Sequence, residues 1–196
     1  MIIMDVKICP LSRELADDYF DFFDNVAFCD HEEWSWCYCT YYHFDSEIEK
    51  ELDGVDKNGL REYAVKLVKE GIINGYLAYV DGKVAGWCNA GDKAGYKRLC
   101  ANKDLWSDAD DAKVKSVVCF IIAPKMRNQG IATLLLKRVC EDAASEGFSC
   151  VEAYPACGTL DCYMNFHGYI SMYEKSGFVL HKRFDDYCIM QKNIVI

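Results

Sequence analysis

The chain has 196 residues, 52% hydrophobic and 27% charged, which are ordinary globular proportions and enough length for one sizeable core. Its net charge of −9 argues against broad nucleic-acid binding and against an anionic membrane surface, and favours a cationic or neutral partner. No segment approaches the roughly 18 apolar residues of a membrane span, and Met1 to Pro10 lacks the apolar stretch of a signal peptide, so one domain over 1–196 is expected in the cytoplasm. Its twelve cysteines are expected to be reduced and packed as small apolar residues.

Met1 to Ile8 alternates as an opening strand, and Pro10 with Ser12 marks the start of a helix whose apolar face carries Leu15, Tyr19, Phe22 and Phe23. Residues 24–46 are dense in aromatics and thiols with no clean period, which predicts a packed loop or short helices. Cys29, His31, Cys37 and Cys39 are zinc-ligand types, but structural zinc sites space paired ligands more widely than a CxC does. Thiols buried among Trp34, Trp36, Tyr38 and Tyr41 are the preferred reading, and no metal is expected. Asn58 and Gly59 open a second helix, with Leu60, Ala64, Leu67 and Val68 inward and Gly71 as its stop. The stretch GYLAYVDGKVAGWC then reads as a hairpin turning at Asp81-Gly82. Residues 91–112, with Asp108, Asp110 and Asp111, form an exposed excursion around a short helix near Tyr96 to Cys100; it either carries specificity or bridges strands.

Val117 to Ala123, closed by Pro124, is a seven-residue apolar run that predicts a buried strand, and Ile131, Leu134, Leu135 and Val139 recur behind it at helical spacing. Between them lies Arg127-Asn128-Gln129-Gly130-Ile131-Ala132. A helix that starts here leaves first-turn N–H groups unpaired, and Gly130 removes the side chain that would keep a ligand away. Residues 112–140 also hold six bases, Lys113, Lys115, Lys125, Arg127, Lys137 and Arg138, and no acid. Helix dipole and side chains together suggest a cradle for a polyanion such as a pyrophosphate. The P-loop and Rossmann glycine patterns match less well. Ser149 to Tyr154 then forms a short strand, Tyr169 to Lys175 a helix stopped by Gly177, and Phe178–Phe184 and Tyr187–Asn193 two closing strands.

Arg127, Gly130 and Ala132 between a buried strand and a helix resemble the signature of the GNAT superfamily of acetyltransferases: Arg or Gln, two residues, Gly, one residue, then Gly or Ala. The order of elements is similar to that family along nearly the whole chain. The resemblance implies an α/β (α+β) fold with a mixed, mostly antiparallel sheet and flanking helices, and an enzyme that uses acetyl-CoA as co-substrate. It implies pantetheine along Phe120, Ile121, Ile122 and Ala123, with a strand N–H near Ile121 steadying the oxyanion. It also implies pyrophosphate at Arg127, Asn128, Gln129, Gly130, Ile131, Ala132 and Thr133, and an acceptor pocket shaped by residues 24–46.

Tyr173, in a helix four residues before Gly177-Phe178, resembles the family's general acid; a phenol of pKa about 10 is a proton donor to a departing thiolate. Where some relatives carry a glutamate base this chain has Ser116, so Glu152 on the neighbouring strand, acting through water, is the expected base, ahead of His31, His43 and His167. Cys119 has no activating base beside it in sequence and is read as core, so direct transfer in a ternary complex is preferred. Residues 1–111 hold 23 acids against 12 bases, a field that would draw a cationic acceptor. The expectation is therefore transfer of acetyl to a primary amine of a small, cationic molecule by a monomer or homodimer. The alternatives are a protein or peptide N-acetyltransferase and a non-catalytic acyl-CoA-binding or thiol/metal-sensing module.

Overall fold

The computed structural model describes residues 5–106, 113–158 and 165–194. The start of the opening strand, Asp108, Asp110 and Asp111, and residues 159–164 lie outside that range.

The alternating N-terminal stretch forms β1 (Val6–Pro10), and after a 3-10 turn α1 (Ala16–Asn25) buries Tyr19, Phe20, Phe22 and Phe23. The aromatic stretch becomes two 3-10 turns, Glu32–Trp34 and Tyr41–His43. A short helix that periodicity did not reveal, α2 (Ser46–Glu51), follows, its first turn capped by the Asp45 carboxylate. Asp56 caps α3 (Lys57–Lys69) in the same way. The hairpin is β2 (Gly75–Val80) and β3 (Lys83–Asp92), joined by Asp81 at φ 50° and Gly82 at φ 75°, the left-handed pair that a two-residue turn with native strand twist requires. Then come α4 (Lys97–Ala101), β4 (Val114–Ile122), α5 (Ile131–Ser145), β5 (Cys150–Ala153), α6 (Ile170–Lys175), β6 (Val179–Arg183) and β7 (Cys188–Asn193).

The seven strands form one sheet in the order β1-β2-β3-β4-β5-β7-β6, antiparallel except for the parallel pair β4–β5. One face packs α5 and α6 through Leu135, Leu136, Val139 and Tyr173. The other packs α1 and α3 through Tyr19, Phe23, Ala64 and Leu67 against Leu77, Trp87, Cys119 and Ile121. β4 begins three residues before the apolar run because Lys115 and Ser116 are themselves buried: Lys115 reaches Glu146 at 2.7 Å and the Tyr76 hydroxyl at 2.9 Å, and Ser116 meets Tyr154 Oη at 2.7 Å. Paired polar groups inside a strand cost little, so the strand outruns its hydrophobic pattern.

Candidate active site

β4 has two kinds of neighbour. Along Val114 to Val117 it pairs with β5, Val117 opposite Ala153; β5 ends there, while β4 runs on to Ile122 against β3 alone. From Val118 onward no described strand pairs that edge of β4, and the contact to it is the Phe166 carbonyl. Strand alternation decides which amides face it. The Ala123 N–H donates to Ala85 O of the hairpin, whereas the Phe120 N–H turns the other way and donates to Phe166 O at 2.6 Å. By that alternation Phe120 and Ile122 present their N–H groups to that edge, and Ile121 points its own into the hairpin. With the Phe120 N–H taken by Phe166 O, the expected donor near Ile121 shifts to its neighbour Ile122.

That edge leads to the α5 N-terminus. Asn128 at φ 60° and Gly130 at φ 84° turn the chain sharply, and Gly130 is the N-cap of α5 without a side-chain cap. A Cβ at Gly130 would meet nothing within 4 Å. The first-turn amides of Ile131, Ala132 and Thr133, unpartnered in helical geometry, face an approach that a ligand can use. Helix polarity, exposed backbone and glycine fit a phosphate-bearing group.

The basic cluster is distributed differently from its sequence proximity. Lys115 is buried under the sheet, and Lys113 donates to Glu146 O. Lys137 and Arg138 pair with Glu141 and Asp142 one helical turn on. Arg127 makes a two-armed bridge to Asp30, at 2.5 and 3.2 Å, and donates to Ile122 O. Of the six bases, Lys125 is exposed beside the helix start and Arg127 ties that start to the aromatic segment. The anion site thus rests on backbone amides more than on a field of lysines.

A cavity of about 320 Å³ lies against this strand–turn–helix, within the size range of small-molecule sites. Cys119, Phe120, Ile121, Ile122 and Arg127 form its β4 wall. The opposite wall comes from the aromatic segment, with Phe28, Trp34, Trp36, Tyr41, Tyr42 and Phe44. Long-range bonds hold that segment in place. Tyr19 donates to Tyr38 O, Tyr38 to Asp24, and Arg61 also reaches Asp24. Arg98 lies 3.8 Å over the Tyr41 ring, donates to Tyr41 O and pairs with Glu49 of α2. Asn89 donates to Cys39 O and accepts from Tyr96 Oη, and this clamp holds Cys39 at φ 54°. Cys37, Cys39 and Cys119 all line the cavity, and burial pushes the thiols of Cys39 and Cys119 up. Among the described residues no group of three or more Cys, His, Asp or Glu is placed to hold a metal ion.

Tyr173 is fully buried, burial pushes its phenol up, and it donates to His167 O at 2.6 Å. The same His167 meets the Tyr42 hydroxyl through Nε2 at 3.0 Å. Two phenols therefore flank one histidine: Tyr42 lines the cavity, and Tyr173 stands behind the Asn165–Gly168 turn. Burial pushes His167 down to about 4, and it pushes His43 down equally far, so both imidazoles are neutral at pH 7. Glu152 is buried in an ion pair with Lys93 at 2.7 Å, with Tyr154 and Gln191 on its other sides, and does not line the cavity. His31 does line it, with Nδ1 2.7 Å from Glu33. Sequence reasoning ranked His31 below Glu152 and did not single out Asp30, Tyr42 or Asn89. Their partners lie 50 to 125 residues away in the chain, beyond any local pattern.

A model of the acetyltransferase (GNAT) family matches residues 30–178. No curated protein matches the chain. Among solved structures, a GNAT-family acetyltransferase from Streptococcus pneumoniae aligns over 97% of this chain and 100% of its own at 18% identity, TM-score 0.55. The PaiA N-acetyltransferase from Thermoplasma acidophilum, in complex with coenzyme A, covers 97% and 99% at 18% identity, TM-score 0.53. The yncA protein of Salmonella typhimurium, with its cofactor acetyl-CoA, covers 97% and 94% at 15% identity, TM-score 0.51.

Proposed function

The chain belongs to the acetyltransferase (GNAT) family, and from that premise we propose that it transfers the acetyl group of acetyl-CoA to the primary amine of a small molecule that arrives as a cation. Acetyl-CoA is the co-substrate, and when bound it supplies an activated thioester carbonyl. The observation that carries the reading is the junction of a β4 edge left without a strand partner beyond Val117 with an uncapped, glycine-started α5 beside an aromatic-walled cavity. The amides of Ile131, Ala132 and Thr133, with Asn128, Gln129 and Gly130 making the turn and Arg127 bracing it, would hold the pyrophosphate. The edge of β4 from Phe120 to Ala123 would hold the pantetheine.

His31, oriented by Glu33, is the group we assign to accept the proton of the incoming ammonium, because it lines the cavity and no carboxylate does so among the described residues. Glu152, engaged with Lys93, is the weaker candidate. The N–H of Ile122 offers a donor to the oxygen on which charge develops, the Phe120 N–H being taken by Phe166 O. Tyr173 keeps its proton at neutral pH and is our proton donor to the departing thiolate. A second reading gives that task to Tyr42, favoured because Tyr42 lines the cavity and Tyr173 does not.

CoA formation measured by chromatography for Tyr173→Phe and Tyr42→Phe separates the two. The true donor loses about 100-fold in kcat while acetyl-CoA affinity stays as in the parent protein. Unchanged turnover in both variants would remove a phenol from the mechanism.

A further inference from the structure

From the acceptor wall we infer the class of amine: a single amino group carried on a flat, apolar body such as an arylalkylamine, with polyamines and amino sugars discriminated against. The inference rests on reading this cavity as the acceptor site of an acetyl-CoA-dependent transferase.

The wall facing β4 is built from Phe28, Trp34, Trp36, Tyr41, Tyr42 and Phe44, and among the described residues no Asp or Glu lines the cavity. Five acids near this wall are held in ion pairs. Asp24 pairs with Arg61, Asp30 with Arg127, Asp45 with Lys97, Glu49 with Arg98 and Glu33 with His31. Two of the wall's polar side chains are engaged: both ends of the Asn89 amide are bonded, and the Tyr42 hydroxyl meets His167. The acidity of residues 1–111 therefore acts as a distant field, while the surface that touches the acceptor is mainly π faces, aliphatic groups and thiols.

One ammonium is tolerated there, because aromatic faces attract a cation and the transfer turns the amine into a neutral amide. A second ammonium would lose its water and find no counter-ion, which is strongly unfavourable. A peptide would bring a run of backbone N–H and C=O groups to a mainly apolar wall that offers them few partners. A planar hydrocarbon or indole body fills such a wall with neither cost.

The experiment compares 2-phenylethylamine and tryptamine with putrescine, spermidine and glucosamine as acceptors, following CoA release by chromatography. Quenching of the fluorescence of Trp34 and Trp36 reports binding independently of turnover. The arylalkylamines should exceed the polyamines and the amino sugar by about 100-fold in kcat/KM. Trp36→Glu, at a half-exposed rim position that tolerates change, should shift the preference toward spermidine by about 10-fold by supplying the missing acid. Acetylation of spermidine or glucosamine with no response to arylalkylamines would overturn the inference and leave the transferase reading intact. Tight arylalkylamine binding with no acetylation of any amine would support the cavity's specificity and overturn the transferase reading. Neither binding nor turnover of the arylalkylamines overturns the inference.

Discussion

Two neutral imidazoles support the acceptor wall, and acid should release it. His43, 3% exposed, lies against the Tyr96 ring with centroids 5.1 Å apart, and His167 joins Tyr42 to the Tyr173 turn. Burial holds both down to about 4, whereas in the unfolded chain each titrates near 6.5. The folded state therefore binds fewer protons, so the contribution is whole above about pH 6.5 and is lost as pH falls toward 4. A gap of roughly two and a half units at about 1.4 kcal/mol per unit sets a ceiling of about 3 kcal/mol for each imidazole. Together they would remove a large part of an ordinary domain stability of about 5–15 kcal/mol. Urea unfolding followed by circular dichroism between pH 7.5 and 4.5 gives the slope. Asp45, held down to about 2 chiefly by the Ile48 N–H and Lys97, loses stability in the same direction at lower pH, so the test compares wild type with His43→Leu/His167→Asn. The double variant should be less stable at pH 7 and markedly flatter between pH 6.5 and 4.5. Equal slopes in the two proteins would refute the argument that these imidazoles are neutral in the fold.

Further outcomes follow from the site. Gly130→Asp puts a β-carbon at φ 84° and a negative charge at the α5 start; equilibrium binding should show acetyl-CoA weakened at least about 10-fold, with the melting temperature only slightly lowered. Lys125→Gln with Arg127→Gln should weaken acetyl-CoA binding. Lys115→Gln, whose parent side chain is buried against Glu146 and Tyr76, should cost about 2 kcal/mol of stability and leave that affinity unchanged. His31→Gln should lower kcat by about 100-fold in single-turnover measurements, and Glu152→Gln by much less; the reverse order would return the base to Glu152.

The sheet was legible because its hairpin announces itself by Asp81-Gly82 and its central strand by an uninterrupted apolar run. The glycine-started helix was legible because anion binding needs backbone amides and a bare α-carbon, both of which are local features. The strand through 120–122 and the turn into α5 could therefore be read directly. The acceptor side could not. Residues 24–46 have no period because their order comes from distant clamps: Asp24 on Arg61, Asp30 on Arg127, Tyr41 under Arg98 and Cys39 on Asn89. The run of six bases misled for the same reason, since Lys115 and Arg138 found partners in Glu146 and Asp142, just beyond the window in which they were counted. Ser116 stands where a base was sought, and its hydroxyl is committed to Tyr154, while His31 lines the cavity.

The central claim is that this strand, turn and helix bind acetyl-CoA, and a thermal-shift titration of the reduced protein with acetyl-CoA, CoA and ATP tests it most directly. A ligand at about 100 times its Kd adds about 2.7 kcal/mol to the folded state, which for a chain of this size raises the melting temperature by roughly 5–10 °C. Rises of that order with acetyl-CoA and CoA, and little with ATP, are the predicted result. No rise with either CoA species would contradict the account at its root.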